Sequence, residues 1–281
     1  MRKSKLILVV PCYNESTRIP LDVFEDFLVR HDQISVCFVD DGSRDDTRAL
    51  LQEFVDRNSD VSCLRTLQVN GGKAEAVRHG ILEMLAVENL AEYIGFWDAD
   101  LATPLNQSLE FLALISSDPM LFAVVGSRWP HLGSDIERGS IRNFIGEIMA
   151  TIITRYLKLN IYDSQCGAKI FRADIARELF RRKFVSRWLF DVEVFTRMKE
   201  VFTQRVDVDA AVMMNMHCHE FPLRTWRDVP GSKLGLSNAV DIVFEIIRIA
   251  WHYRKRVLFT REEQRWYYEC RTRTWCKPQG R

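Results

Sequence analysis

The chain of 281 residues has no uncharged apolar run of about 18 residues, the length a membrane-spanning helix needs. Its best approach, residues 239–251, is interrupted by Asp241, Glu245 and Arg248. A cleavable leader is not expected either. The apolar run at residues 6–10 is short and gives way at once to Pro11-Cys12-Tyr13-Asn14-Glu15, which reads as the end of a first strand. Net charge is almost absent, with 39 Lys and Arg against 38 Asp and Glu, so no nucleic acid or other general polyanion partner is expected. The seven cysteines are odd in number and lack metal-ligand spacing. They make a poor disulfide framework and point to the reducing cytoplasm. Cys12 and Cys37 lie in or beside apolar runs and read as small core residues. His217, Cys218 and His219 are adjacent, but such neighbours crowd a tetrahedral centre and no second pair completes them. Neither Gly-x-Gly-x-x-Gly nor a Walker sequence occurs, which argues against a dinucleotide cofactor and against a P-loop ATPase.

Hydrophobic residues make up 47% of the sequence, enough for a sizeable core, and no repeat or low-complexity linker divides it. The first half alternates strand and helix signals. That is the pattern of an α/β protein with a mostly parallel central sheet and helices on both faces. Strands are predicted at residues 5–10, 35–39, 62–68, 93–97 and 122–126, and helices at 20–30, 47–57, 73–88 and 106–116. Farther on, Phe144, Ile145, Ile148, Met149, Ile152, Ile153, Tyr156 and Leu157 predict a long amphipathic helix over 142–159. Residues 166–171 read as a return strand, 199–208 as a helix end and a last core strand, and 239–258 as a second amphipathic helix. The chain thus divides into a domain at 1–240 and a helix with a basic, aromatic tail at 241–281. Residues 252–281 hold nine Lys or Arg and three acids, interleaved with Trp266, Tyr267, Tyr268 and Trp275. An anionic membrane surface suits that pattern, and so does a packed extension.

The chemistry-bearing residues gather at strand ends. The first strand runs into Pro11, Tyr13 and Glu15, the second into Asp40-Asp41-Gly42-Ser43, and the third into Asn70-Gly71-Gly72-Lys73. The fourth, an aromatic run closing on Trp97, delivers Asp98-Ala99-Asp100-Leu101-Ala102-Thr103-Pro104. In an open α/β sheet these segments share one edge, where ligands bind. Asp41 or Asp40 can accept from a base N–H, Glu15 from ribose hydroxyls, and Lys73 with the backbone of Gly71 and Gly72 can face phosphate. Asp98 and Asp100 are hard oxygen donors suited to Mg²⁺ or Mn²⁺ across a diphosphate. Alone, Asp-x-Asp fits a turn or a helix cap equally well.

Taken in order, these segments resemble the inverting family 2 glycosyltransferases of the GT-A fold, in the branch of polyprenyl-phosphate and dolichyl-phosphate glucosyltransferases. The likeness continues through Val125-Gly126-Ser127-Arg128, Asp163-Ser164-Gln165-Cys166-Gly167-Ala168-Lys169, Arg187-Trp188-Leu189-Phe190-Asp191 and Gly231-Ser232-Lys233-Leu234. It implies a nucleotide-diphosphate sugar donor, UDP-glucose being favoured, with Asp41 on the base, Glu15 on the ribose side, and Asp98 and Asp100 on the metal and diphosphate. It further implies that Arg128, with Arg138 and Arg142, lies near the phosphate of a polyprenyl-phosphate acceptor, and that Gln165 and Asp191 line the sugar and acceptor side. Two departures stand out: Ala74 occupies a position where the family's phosphate loop often has Gly, and the membrane anchors of many relatives have no counterpart. A cytoplasmic protein, peripheral on the cytoplasmic membrane face, is therefore expected. A glycan hydroxyl acceptor, for which Asp191 would serve as base, and a non-catalytic nucleotide-sugar binder remain the alternatives.

Overall fold

The computed structural model describes residues 1–137, 153, 161–186, 189–203, 216–227 and 239–254. In chain order its elements are β1 (Ser4–Cys12), α1 (Leu21–Arg30), β2 (Ile34–Asp40), α2 (Thr47–Arg57), β3 (Ser62–Thr66), α3 (Lys73–Ala86), β4 (Ala91–Trp97) and α4 (Asn106–Ser117). They continue with β5 (Ala123–Ser127), β6 (Asp135–Glu137), β7 (Ala168–Arg172), α5 (Ala173–Phe180), α6 (Phe190–Thr203), β8 (Cys218–Pro222), β9 (Thr225–Arg227) and α7 (Ala239–Arg254).

Alternation along the strands builds two apolar layers from one sheet. Leu6, Leu8 and Val10 of β1 join Phe24, Phe54 and Phe111 of α1, α2 and α4 on one face. Ile7 and Val9 join Val77, Leu179 and Phe195 of α3, α5 and α6 on the other. A strand buried on both faces has to be apolar throughout, and β1 and β2 are read correctly from sequence for that reason. Cys12 and Cys37 are buried in these layers, as expected.

Among the described residues, seven strands form one sheet in the order β3-β2-β1-β4-β7-β5-β8, with β7 antiparallel to both neighbours, and β6 pairs with β9 apart from it. The chain moves outward from β1 through β2 to β3, then returns to the other side of β1 as β4. That reversal opens a crevice at the carboxyl ends of β1 and β4. Strand β8 is an addition to the sequence reading, and it settles the neighbouring histidine. His217 stacks on Phe122 at 4.5 Å, with Nδ1 2.6 Å from the Met120 carbonyl. Among the described residues no group of three His, Cys, Asp or Glu side chains could hold a metal ion.

Helix α7 packs Ile246, Ile249 and Tyr253 against the α6 face. Tyr253 Oη donates to Glu193 Oε1 at 2.7 Å and accepts from Arg197 Nε at 2.8 Å. The buried Arg197 guanidinium also donates to the carbonyls of Leu179, Arg182 and Lys183, which compensates the cost of taking its charge out of water. The last helix is thereby tied to the helix that begins with Phe190 and Asp191. Apart from Ile153, which is helical and buried, the predicted helix at 142–159 lies outside the described residues, as do the strand completing 199–208, Arg138, Arg142, the 231–234 segment and the tail beyond 254.

Candidate active site

On the β1–β2 side, two loops are stitched together by hydrogen bonds. The Asn14 N–H donates to Ser43 Oγ (3.0 Å), the Glu15 N–H to Thr47 Oγ1 (2.8 Å) and the Arg44 N–H to Asn14 Oδ1 (2.9 Å). Pro11 is the penultimate residue of β1, in register with Val39, so Tyr13 and Glu15 emerge directly at the crevice. Asp40 is buried and turns inward to accept from the Ser43 N–H at 3.1 Å. Asp41 is buried too and braces the next loop. Its carboxylate accepts from the N–H groups of Gly71 (2.7 Å) and Gly72 (2.8 Å) and from Asn70 Nδ2 (2.9 Å). Gly72, at φ 87°, gives the left-handed turn that starts α3 and delivers Lys73. Asp41 thus orders the loop at 70–72, which is a different task from the base contact anticipated from sequence.

Asp98 and Asp100 stand at the carboxyl end of β4. The buried Trp97 donates from Nε1 to the Thr103 carbonyl at 2.7 Å, and Arg227 of β9 donates its N–H to the Ala102 carbonyl at 3.1 Å. These bonds hold the loop, and Leu101 accepts a φ of 50° within it. Lys73 Nζ pairs with Asp98 Oδ1. Partial loss of water pulls the lysine pKa down, but the charges of Asp98, Asp191 and Asp100 outweigh it and raise it. Burial and then Asp98 push the Asp100 carboxyl above its usual pKa, against the Ala102 N–H, Lys73 and Arg18. Asp100 Oδ1 accepts from the Ala102 N–H at 3.1 Å, while Oδ2 lies 3.4 Å from Arg18 Nη2. Excess negative charge on two adjacent hard oxygen donors fits a divalent cation that completes its shell with phosphate and water. A Cβ at Gly167, the residue before β7, would overlap the Asp98 carboxylate where it now stands, so that carboxylate would have to move.

Across the cleft, Asp191 opens α6 and is 4% exposed; Oδ1 accepts from Lys169 Nζ at 2.6 Å. Lys169 is 0% exposed and lies over the rings of Phe96 and Phe195. Arg128, just after β5, makes a two-pronged contact with Asp163: Nε to Oδ2 at 2.7 Å and Nη2 to Oδ1 at 2.8 Å. Burial works against its charge, but Asp163, with lesser help from Cys166 and Asp98, raises its pKa. The Nε–Nη2 edge of its guanidinium is therefore taken. Glu220 of β8 holds the partner loop by accepting from the N–H groups of Tyr162 and Asp163 at 2.8 and 2.7 Å. Half-exposed Trp129 and Tyr162 meet at 4.0 Å beside this pair. Gln165 Nε2 is buried and has no hydrogen-bond partner among the described residues.

The structure thus brings Glu15, Asp41, Gly71, Lys73, Asp98 and Asp100 to one crevice, with Asp191 and Arg128 in electrostatic reach of it. Arg18 and Glu220 were missed from sequence, and Asp163 and Lys169 stood in a matching segment without an assigned role. A lysine inside the apolar strand 168–172 was a readable sign of a buried ion pair, whereas Asp163 lies 35 residues from Arg128 and gave none.

Residues 7–180 match the model of the family described as glycosyl transferase family 2. The chain belongs to glycosyl transferase family 2. Among curated proteins it is similar to the dolichyl-phosphate beta-glucosyltransferase of Dictyostelium discoideum, 30% identical over 88% of this chain and 74% of that protein. The Saccharomyces cerevisiae protein of that name is 27% identical over 88% and 75%. In fold it resembles Mycobacterium tuberculosis glucosyl-3-phosphoglycerate synthase in complex with Mn²⁺, UDP-glucose and phosphoglyceric acid. The TM-score is 0.56 at 16% identity, covering 88% of this chain and 78% of that one. The mostly parallel sheet with helices on both faces is the GT-A fold.

Proposed function

We propose that the protein transfers glucose from UDP-glucose to a polyprenyl phosphate with inversion at the anomeric carbon. The observation that carries this is the paired carboxylates Asp98 and Asp100 at the crevice, countered by Lys73 and Arg18 and facing Arg128 across the cleft. Similarity to dolichyl-phosphate beta-glucosyltransferases supports both the sugar and the acceptor class. On the donor side, Pro11, Tyr13, Glu15 and the loop braced by Asp41 would hold the nucleoside, and Lys73 with the amides beside it would face the diphosphate. Asp98 and Asp100 would hold Mg²⁺ or Mn²⁺. When bound, such a cation stabilises negative charge on the departing nucleoside diphosphate. The fold relative bound to Mn²⁺ and UDP-glucose supports that choice.

A phosphate oxygen is already anionic and attacks the anomeric carbon without a general base. That suits a site in which the described carboxylates across the cleft are already engaged, Asp191 by Lys169 and Asp163 by Arg128. Arg128, fixed by Asp163, would orient the acceptor phosphate through Nη1, and Gln165 Nε2 offers a donor to the sugar hydroxyls. Trp129 and Tyr162 add an apolar surface one residue beyond Arg128, where an isoprenyl chain would leave its phosphate.

No helix among the described residues is long and apolar enough to cross a membrane. One face of α7 nevertheless leaves Phe244, Ile247 and Trp251 exposed at 66%, 57% and 65%. The basic, aromatic sequence that follows makes the surface of the acceptor-bearing membrane the occupant we assign to that face. The test is a panel of UDP- and GDP-sugars with Mg²⁺ or Mn²⁺, offered with polyprenyl phosphate and with simple sugars. UDP-glucose and the lipid are expected to form the productive pair; transfer to the free sugar alone would replace the acceptor and keep the transferase.

A further inference from the structure

The two central carboxylates each face a basic side chain, and the two pairings differ in kind. Lys73 belongs to α3 and sits among three acids that together raise its pKa. Arg18 belongs to a turn in which its N–H returns to the Glu15 carbonyl at 2.9 Å. From there it reaches over the crevice, with Nη2 3.4 Å from Asp100 Oδ2 and Nε 3.6 Å from Glu15 Oε2. Both distances are long, and neither contact has the parallel two-bond geometry by which arginine grips carboxylate or phosphate. Arg18 Nε is moreover buried without a hydrogen-bond partner among the described residues. An N–H in that condition is costly unless a further acceptor reaches it.

The two oxygens of Asp100 are not equivalent. Oδ1 is engaged by the Ala102 N–H of its own turn, so a cation approaching Asp100 meets Oδ2, the oxygen Arg18 faces. A diphosphate lying between Glu15 and Asp100 would offer Arg18 acceptors for Nε and Nη2 together. We propose that Arg18 competes with the divalent cation for Asp100 Oδ2 and turns to the donor diphosphate when the cation takes that oxygen. Arg18 then couples the two ligands: each weakens the hold of Arg18 on Asp100 for the other, and linkage makes the effect reciprocal. The inference rests on the donor and metal reading of Asp98 and Asp100 and is independent of the acceptor.

The experiment is titration calorimetry on the full chain with Mn²⁺ alone, with UDP alone in chelator, and with Mn²⁺ at saturating UDP. Wild type, R18Q and R18K are compared, with thermal unfolding confirming that all three are folded. R18Q is expected to bind Mn²⁺ alone roughly two- to fivefold more tightly, the range of a partly exposed ion pair. It should bind UDP alone more weakly, and UDP should tighten its Mn²⁺ binding less than in wild type. R18K, which keeps the charge without the planar fork, should fall between the two. Equal Mn²⁺ affinities in the three proteins, or weaker Mn²⁺ binding by R18Q, would overturn the competition. A wild type that binds no UDP contradicts the donor reading instead, while the order of the Mn²⁺ affinities still decides the role of Arg18.

Discussion

Lys169 is the residue whose loss should be felt most in the fold on the Asp191 side of the cleft. K169M replaces a 0% exposed ammonium with an uncharged side chain of similar volume, so little of the effect comes from a cavity. The substitution removes donors to Asp191 Oδ1 and to the Cys166 carbonyl, together with the charge over Phe96 and Phe195. It also leaves Asp191, 4% exposed, as an uncompensated charge. Removing one member of a buried pair costs about 3–5 kcal/mol, a large share of the roughly 5–15 kcal/mol that separates folded from unfolded. For a chain of this size that corresponds to a fall in Tm of about 5–9 °C. Thermal unfolding followed by circular dichroism at neutral pH measures it. The double variant K169M/D191N removes the stranded charge and should regain a good part of the loss, with a coupling above about 1 kcal/mol in the double-mutant cycle. A K169M protein melting within about 2 °C of wild type would refute the reasoning, because a buried charge cannot lose its partner at so small a cost.

Three further outcomes are expected. G167A should displace the Asp98 carboxylate that occupies the space a Cβ would need; kcat/KM for donor should fall by about a hundredfold, and near-normal turnover would contradict that packing. D163N should loosen Arg128 and raise the KM for lipid phosphate roughly tenfold while UDP affinity changes little; equal losses on donor and acceptor would show that Arg128 serves both. Asp45 is held down to about 2 by Ser16 and Thr47 despite the opposing effect of desolvation. Its contribution to stability is therefore present above the ordinary carboxylate value of about 4 and is lost as pH falls toward about 2. D45N should lose less stability than wild type between pH 5 and pH 3 in urea titrations, and parallel losses would dismiss the effect.

Legibility from sequence followed the physics of each element. Strands β1 and β2 were plain because a strand covered on both faces needs an unbroken apolar run, and α2 was bounded correctly at Thr47–Arg57. Strand β8 was not, because Cys-His-Glu-Phe-Pro sits at the sheet edge, with half-exposed residues and no run to see. The crevice at the ends of β1, β2 and β4 could be read because each strand carries its polar residues just past its own end. The opposite side of the cleft is assembled by long-range pairings: Arg128 with Asp163, Lys169 with Asp191, and Glu220 with the 162–163 backbone. Nothing local encodes those partners. Arg18 escaped notice for a related reason, since only the turn at Glu15 brings it back over Asp100.

The most direct measurement is the anomeric configuration of the product. The protein should be incubated with UDP-glucose, a divalent cation and a short polyprenyl phosphate, and the lipid fraction examined by proton and phosphorus NMR, with D100N as the inactive control. A β-linked glucosyl phosphate is expected from the α-linked donor, with UDP released in equal amount and neither formed by D100N. An α-linked product, or UDP-glucose bound with no glucosylated lipid, would contradict direct inverting transfer to a polyprenyl phosphate.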